Sequence, residues 1–136
     1  MVDTKPGFEW YMRDDGIIVY HFADSRRVTI DKFAETLREH RDAYTAASKA
    51  IKRLWYFSDD MMPTPYAVKT AMQLAKEMPP TLRSQIACVL ANTRINTMIR
   101  YIFTQIDARK DYIHFFDDEA SALEWLLTTE SPIESP

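Results

Sequence analysis

Six side chains that could bind a metal or move a proton stand just past segments that read as strands: Asp24, Asp59, Asp60, Asn92, Asp117 and Asp118. Parallel strands bring their ends to one edge of a sheet, where loops lead into helix N-termini. Several carboxylates with an amide there could hold a hard cation such as Mg²⁺ through oxygen ligands. The same residue types are also the usual helix caps, because a short carboxylate or amide accepts from free backbone N–H groups. Capping is the simpler role, since no Lys closes the fifth strand to complete an acidic pocket; His114-Phe115-Phe116-Asp117 stands there instead. No metal and no cofactor is expected.

Other reactive groups are sparse. His21, His40 and His114 share no ligand spacing on one element, so no zinc motif exists. His21 and His114 both fall in strands and could face each other or a cavity on one side of the sheet. Cys88 lies in the apolar run Ile86-Ala87-Cys88-Val89-Leu90 and reads as an inert core thiol. There is no Ser-centred nucleophile elbow, and two glycines, Gly7 and Gly16, cannot build a phosphate cradle. Asp59 or Asp60 could serve as the general base of a cryptic enzyme, but no partner of suitable chemistry accompanies them.

The elements that must position these groups are legible from periodicity. Phe8 to Arg13 alternates as a half-buried edge strand, Asp14-Asp15-Gly16 turns, and Ile17 to Ala23 follows as a more continuous apolar strand. Thr29 is placed to cap a first helix carrying Phe33, Leu37, Tyr44 and Ala47 on one stripe. A third strand, Leu54 to Phe57, stops at Ser58-Asp59-Asp60-Met61-Met62-Pro63. Thr64 and Pro65 then open a second helix, with Val68, Ala71, Met72, Ala75 and Met78 inward and Pro79-Pro80 as its stop. Gln85 to Leu90 is a buried strand, and Asn92 or Thr93 caps a third helix with Ile95, Met98, Ile99, Ile102 and Ile106 on its inner side. Tyr112 to Phe116 and a fourth helix from Asp118 to Thr128 complete the order β-β-α-β-α-β-α-β-α.

That order specifies an α/β domain over residues 8–128: a five-stranded, mixed but mainly parallel sheet with four helices and right-handed crossovers. Residues 1–7 and 129–136 read as flexible ends. A chain of 136 residues with 46% hydrophobic and 27% charged residues is one ordinary globular domain. Its net charge of -3 gives no footprint for a phosphate backbone, so nucleic acid is not an expected partner. Arg26-Arg27 and Lys49 to Arg53 form only local basic clusters. No run is long enough to span a membrane, and the single cysteine fits a reducing cytoplasm.

The segment Phe115-Phe116-Asp117-Asp118-Glu119-Ala120-Ser121-Ala122-Leu123-Glu124-Trp125-Leu126, together with the element order, resembles the closing strand and helix of SpoIIAA-like (STAS-related) domains. The resemblance implies a non-enzymatic regulatory or protein-interaction domain. In the anti-sigma-factor antagonists of that family, a partner kinase phosphorylates a Ser or Thr near the start of the helix after strand three. Thr64 is the nearest match by position, and Ser58 a weaker one. The family switch has Gly after its phosphoacceptor, whereas Pro65 follows Thr64, and an N-cap role alone accounts for Thr64.

Aromatic residues dominate the strands: Trp10, Tyr11, Tyr20, Phe22, Trp55, Tyr56, Phe57, Tyr112, Phe115 and Phe116. Alternation sends them to both sheet faces. If helices cover one face only, the other is an interface for a protein partner or a second copy in a homodimer; if helices cover both, these residues are plain core. A small-molecule or lipid ligand could instead occupy a pocket between the loop Ser58, Asp59, Asp60, Met61, Met62 to Thr64 and the turn Asn92, Thr93 and Arg94.

Overall fold

In the computed structural model, residues 5–58, 64–79, 82–89 and 113–128 are described. Alternating side chains make β1 (Phe8–Met12), and the turn at Gly16 returns the chain as β2 (Ile18–Phe22). Gly16 takes φ of 86°, a left-handed conformation that glycine adopts without Cβ strain, and its N–H donates to Arg13 O. Then follow α1 (Arg27–Ala46), β3 (Ile51–Phe57), α2 (Pro65–Lys76), β4 (Ser84–Val89), β5 (Ile113–Phe116) and α3 (Glu119–Thr128). The expected third helix, residues 92–106, lies outside the described residues, so α3 is the terminal helix of the sequence reading. Among the described helices, none is long and apolar enough to cross a membrane.

The sheet order is β1-β2-β3-β4-β5, with β1 antiparallel to β2 and every other pair parallel. The mixed, mainly parallel α/β sheet matches the sequence reading. Parallel strands that step in one direction put their crossover helices on one face, because the crossover has a fixed hand. Accordingly α1 and α2 pack together and share a core with Phe8, Tyr20, Phe22, Ile51, Trp55 and Ile86. On the opposite face α3 lies over β3, β4 and β5, with Ala122 and Leu126 against Leu54 and Ala87.

Several local expectations shift. Thr29 does not cap α1; Arg26 is the N-cap residue, and Thr29 sits buried in the first turn. The helix buries Ile30, Phe33, Ala34 and Leu37, while Tyr44 packs on the core rim and Ala47 is the exposed C-cap. Ser48 then takes a left-handed φ of 56° to end the helix. In α2 the buried residue is Leu74, with Tyr66, Ala67 and Met78 beside it, and Met72 points outward. The helix is therefore rotated relative to the stripe read from Val68, Met72 and Ala75.

β3 begins three residues earlier than the apolar run suggests, at Ile51 rather than Leu54. Lys52 and Arg53 are therefore strand residues on opposite faces, and Lys49 to Arg53 is no surface patch. The Lys52 ammonium donates to the Leu126 carbonyl at the end of α3, a position where a cation meets unpaired helix carbonyls.

Candidate functional site

Two places could bring functional side chains together: the carboxyl edge of the strands and the outer strip along β1 and β2.

At the carboxyl edge, the polar groups are held by structural partners. The Asp24 carboxylate accepts from the Arg26 amide at 3.0 Å and the Thr29 hydroxyl at 2.5 Å, and it pairs with the Arg26 guanidinium at 3.2 Å. Burial pushes its pKa up, yet the Thr29 and Arg26 contacts win and hold it below the ordinary carboxylate range. Thr29 in turn accepts from the Gly7 amide at 2.8 Å. A Cβ on Gly7 would come within 2.2 Å of the Asp24 carboxylate, so any side chain there would have to displace Asp24 from this joint between the strand lead-in and α1.

The Thr64 hydroxyl accepts from the Ala67 amide at 3.1 Å, with Pro65 at the first helical positions, which is the expected cap. Asp118 accepts from the Ser121 amide at 2.7 Å, and that backbone donor holds it below its ordinary value. Among the described residues no group of His, Cys, Asp or Glu is arranged to hold a metal ion. Asp59, Asp60, Met61, Met62, Asn92, Thr93 and Arg94 lie outside the described residues. Ser58 is described: its amide donates to Phe22 O at 2.9 Å, and it helps line a cavity of about 450 Å³ with Gly7, Glu9, His21 and Tyr56.

The outer strip is different in kind. His21 stacks on Tyr56 at 4.7 Å and on Tyr11 at 5.9 Å, so three rings run across β1, β2 and β3 on the face opposite α1. His114 lies on the same face but stacks on Trp125 of α3 at 4.4 Å, so the two strand histidines do not meet. The Tyr56 hydroxyl donates to Glu119; burial first, and then this carboxylate, push its pKa up. Cys88 is buried in the α1 face of the sheet, as an inert core thiol should be.

β1 is an edge strand, and Trp10, Tyr11 and Met12 are 45%, 49% and 51% exposed. Edge strands ordinarily carry charge or proline to discourage pairing, whereas β1 exposes three consecutive large apolar residues. Trp10 is steadied rather than buried: its ring meets the His40 ring edge-on at 4.4 Å. His40 also shares a hydrogen bond of 2.7 Å with the Tyr20 hydroxyl. Desolvation, and then the nearby Arg53 charge, keep His40 below its ordinary value and favour the neutral ring.

Arg53 is a charged residue that the sequence reading missed as an interior group, and Gln85 lies in the strand expected to be buried. Arg53 is 0% exposed; its Nη2 reaches Ser84 Oγ at 3.4 Å, while Nε and Nη1 have no partner. Both side-chain polar atoms of Gln85 are likewise buried without a partner. The only signal was Arg53 placed before an aromatic strand, which reads as a strand end. Between α1 and α2, by contrast, charge is well matched. Glu77 accepts from Arg38 at 2.9 and 3.0 Å and from Arg41 and Gln73 at 3.0 Å, and chiefly the Arg38 bonds bring it down to about 2.

No protein-family model, curated protein or solved structure matches this chain.

Proposed function

We propose that this chain is a non-enzymatic regulatory or protein-interaction domain of the SpoIIAA/STAS-like type that binds a protein along β1. The observation that carries this reading is the exposed Trp10-Tyr11-Met12 run on an edge strand. An edge offers unpaired backbone groups for strand addition, and aromatic and Met side chains contribute much contact area for little lost entropy. The polar groups of the carboxyl edge are consistent with a binding role: Asp24, Thr29, Thr64 and Asp118 are each held in hydrogen bonds to neighbouring backbone or side chains. The family part of the reading is supported by the element order and the aromatic strand-to-helix ending. Thr64 is a cap first, and its phosphorylation is not required.

A photo-crosslinking residue at position 11, introduced in the cells the chain comes from, tests the reading. Discrete protein adducts at position 11, with none from the equally solvent-facing position 72 of α2, are the expected result. Absence of adducts at position 11 would overturn it.

The cavity of about 450 Å³ beside Ser58, His21 and Tyr56 favours a second reading, a small apolar ligand held at the strand edge. Native mass spectrometry of freshly purified chain would then retain a constant added mass that Ser58→Trp removes.

A further inference from the structure

We infer that the occupant of β1 is a second copy of this chain, paired antiparallel about a two-fold axis at Tyr11, so that two five-stranded sheets become one continuous sheet. This inference rests on the proposed interaction surface and names its partner.

Backbone geometry decides which groups are free. Ala23 N–H donates to Gly7 O at 2.8 Å, and Arg13 N–H donates to Ile17 O at 2.9 Å. Antiparallel ladders alternate, so Gly7, Glu9, Tyr11 and Arg13 turn their N–H and C=O groups toward β2. Phe8, Trp10 and Met12 therefore turn theirs outward, along the edge of the sheet. A new strand can bond only to these.

The side chains then select the register. With Tyr11 opposite the partner's Tyr11, Trp10 stands opposite the partner's Met12 and exchanges both backbone hydrogen bonds with it. Symmetry repeats the exchange. On the α1 face this sets the Trp10 indole, already steadied by His40, against a methionine thioether, a favourable pairing. On the other face Glu9 stands opposite the partner's Arg13, and Arg13 opposite the partner's Glu9. Opposite charges directly across a ladder stabilise it, and like charges destabilise it.

Neither neighbouring register does as well. Centring on Trp10 sets Glu9 against the partner's Tyr11 and Arg13 against the partner's Gly7. Centring on Met12 sets Glu9 against the partner's Asp15 and Trp10 against the partner's Asp14. The segment Glu9-Trp10-Tyr11-Met12-Arg13 is thus self-complementary about its middle residue and about no other. Glu9 makes no ion pair among the described residues, which leaves it free for this role. Arg13 pairs with Asp15 at 3.2 Å on the surface, and such exposed pairs are weak enough to be shared or exchanged.

Sedimentation velocity across a concentration series tests this with wild type, Glu9→Arg, Arg13→Glu and the double reversal, each confirmed folded by circular dichroism. Wild type should form a reversible dimer. Each single reversal acts twice per dimer by symmetry and should weaken association about tenfold. The double reversal should restore it to wild-type strength. A monomeric wild type, single reversals without effect, or a double reversal no better than the singles would each overturn the register. If the wild type is monomeric while position 11 still crosslinks to a different protein, this inference fails and the interaction reading stands. If position 11 crosslinks to nothing, both fail.

Discussion

Phe8 and Trp10 lie two residues apart on the same face of the same strand, yet one is 5% exposed and the other 45%. Phe8 touches the rings of Tyr20, Phe22 and Phe33 at 5.1 to 5.9 Å and belongs to the main core. Trp10 meets the edge of His40 and opens to solvent with Tyr11 and Met12. The difference is in cover. A helix laid across a twisted sheet departs from the outermost strand along its length, so the same residue types are core at one end of β1 and surface at the other. Composition marks both ends as apolar; position relative to α1 decides that one end stabilises the fold and the other is available to a partner.

The largest effect should come from emptying the covered end. Phe33 contacts Phe8, Tyr20, Phe22 and Trp55, with ring centroids 4.9 to 6.2 Å apart. Phe33→Ala should cost about 3–5 kcal/mol in urea unfolding. A cost near that of a surface change would mean the α1 face is not the core described.

Beneath the same helix, Arg53 carries a buried guanidinium with two unpartnered nitrogens. Guanidinium groups keep their charge in proteins, and replacing an uncompensated buried ion with an apolar group of similar volume removes a desolvation cost. Arg53→Met should therefore raise stability by about 1–3 kcal/mol. A loss of comparable size would show that the guanidinium is compensated in solution.

Loss of the Thr64 cap in Thr64→Ala should cost about 1 kcal/mol and leave association through β1 unchanged. An association defect would move the contact surface toward the start of α2.

His40 touches both Trp10 and Tyr20, and desolvation and then the Arg53 charge lower its pKa. As pH falls below about 6.5, the unfolded chain binds a proton at His40 that the folded chain resists, so stability declines from neutral pH down through the folded value. His40→Gln should flatten that part of the pH–stability curve. Glu77 acts lower still: its folded value is near 2, so the stability from its Arg38 and Arg41 pairs is full above about 4.5 and lost as pH falls toward 2.

At the open end the stability effect should be smallest. Trp10→Ala and Tyr11→Ala should each change unfolding free energy by no more than about 0.5 kcal/mol, as for exposed sites, while weakening association. A large stability loss without an association defect would reassign these rings to the fold.

Much of the architecture was legible because its signals are local. Asp15-Gly16 turns where the sequence says, Thr64-Pro65 opens a helix, and the alternating strands give a mixed sheet in chain order. Thr29 misled because Thr before an apolar stripe reads as a cap, whereas it lies in the first turn with its hydroxyl tied to Gly7 and Asp24. Arg53 misled more deeply: no local pattern announces that a cation will be covered from both sides. Of the acidic strand ends, Asp24 is tied to Arg26 and Thr29, and Asp118 accepts from the Ser121 amide. The edge site was half legible, since alternation identified the rings, and only the positions of α1 on one face and α3 over β3, β4 and β5 on the other showed which stay bare.

The amides of Trp10 and Met12 provide the most direct test, because both point away from β2 along the edge proposed to pair. Hydrogen exchange followed at low and high protein concentration should show these two amides passing from fast to slow exchange together, while Tyr11, already bonded to Val19 across the β1–β2 ladder, stays slow throughout. Fast exchange at Trp10 and Met12 at every concentration would contradict pairing of this chain through β1.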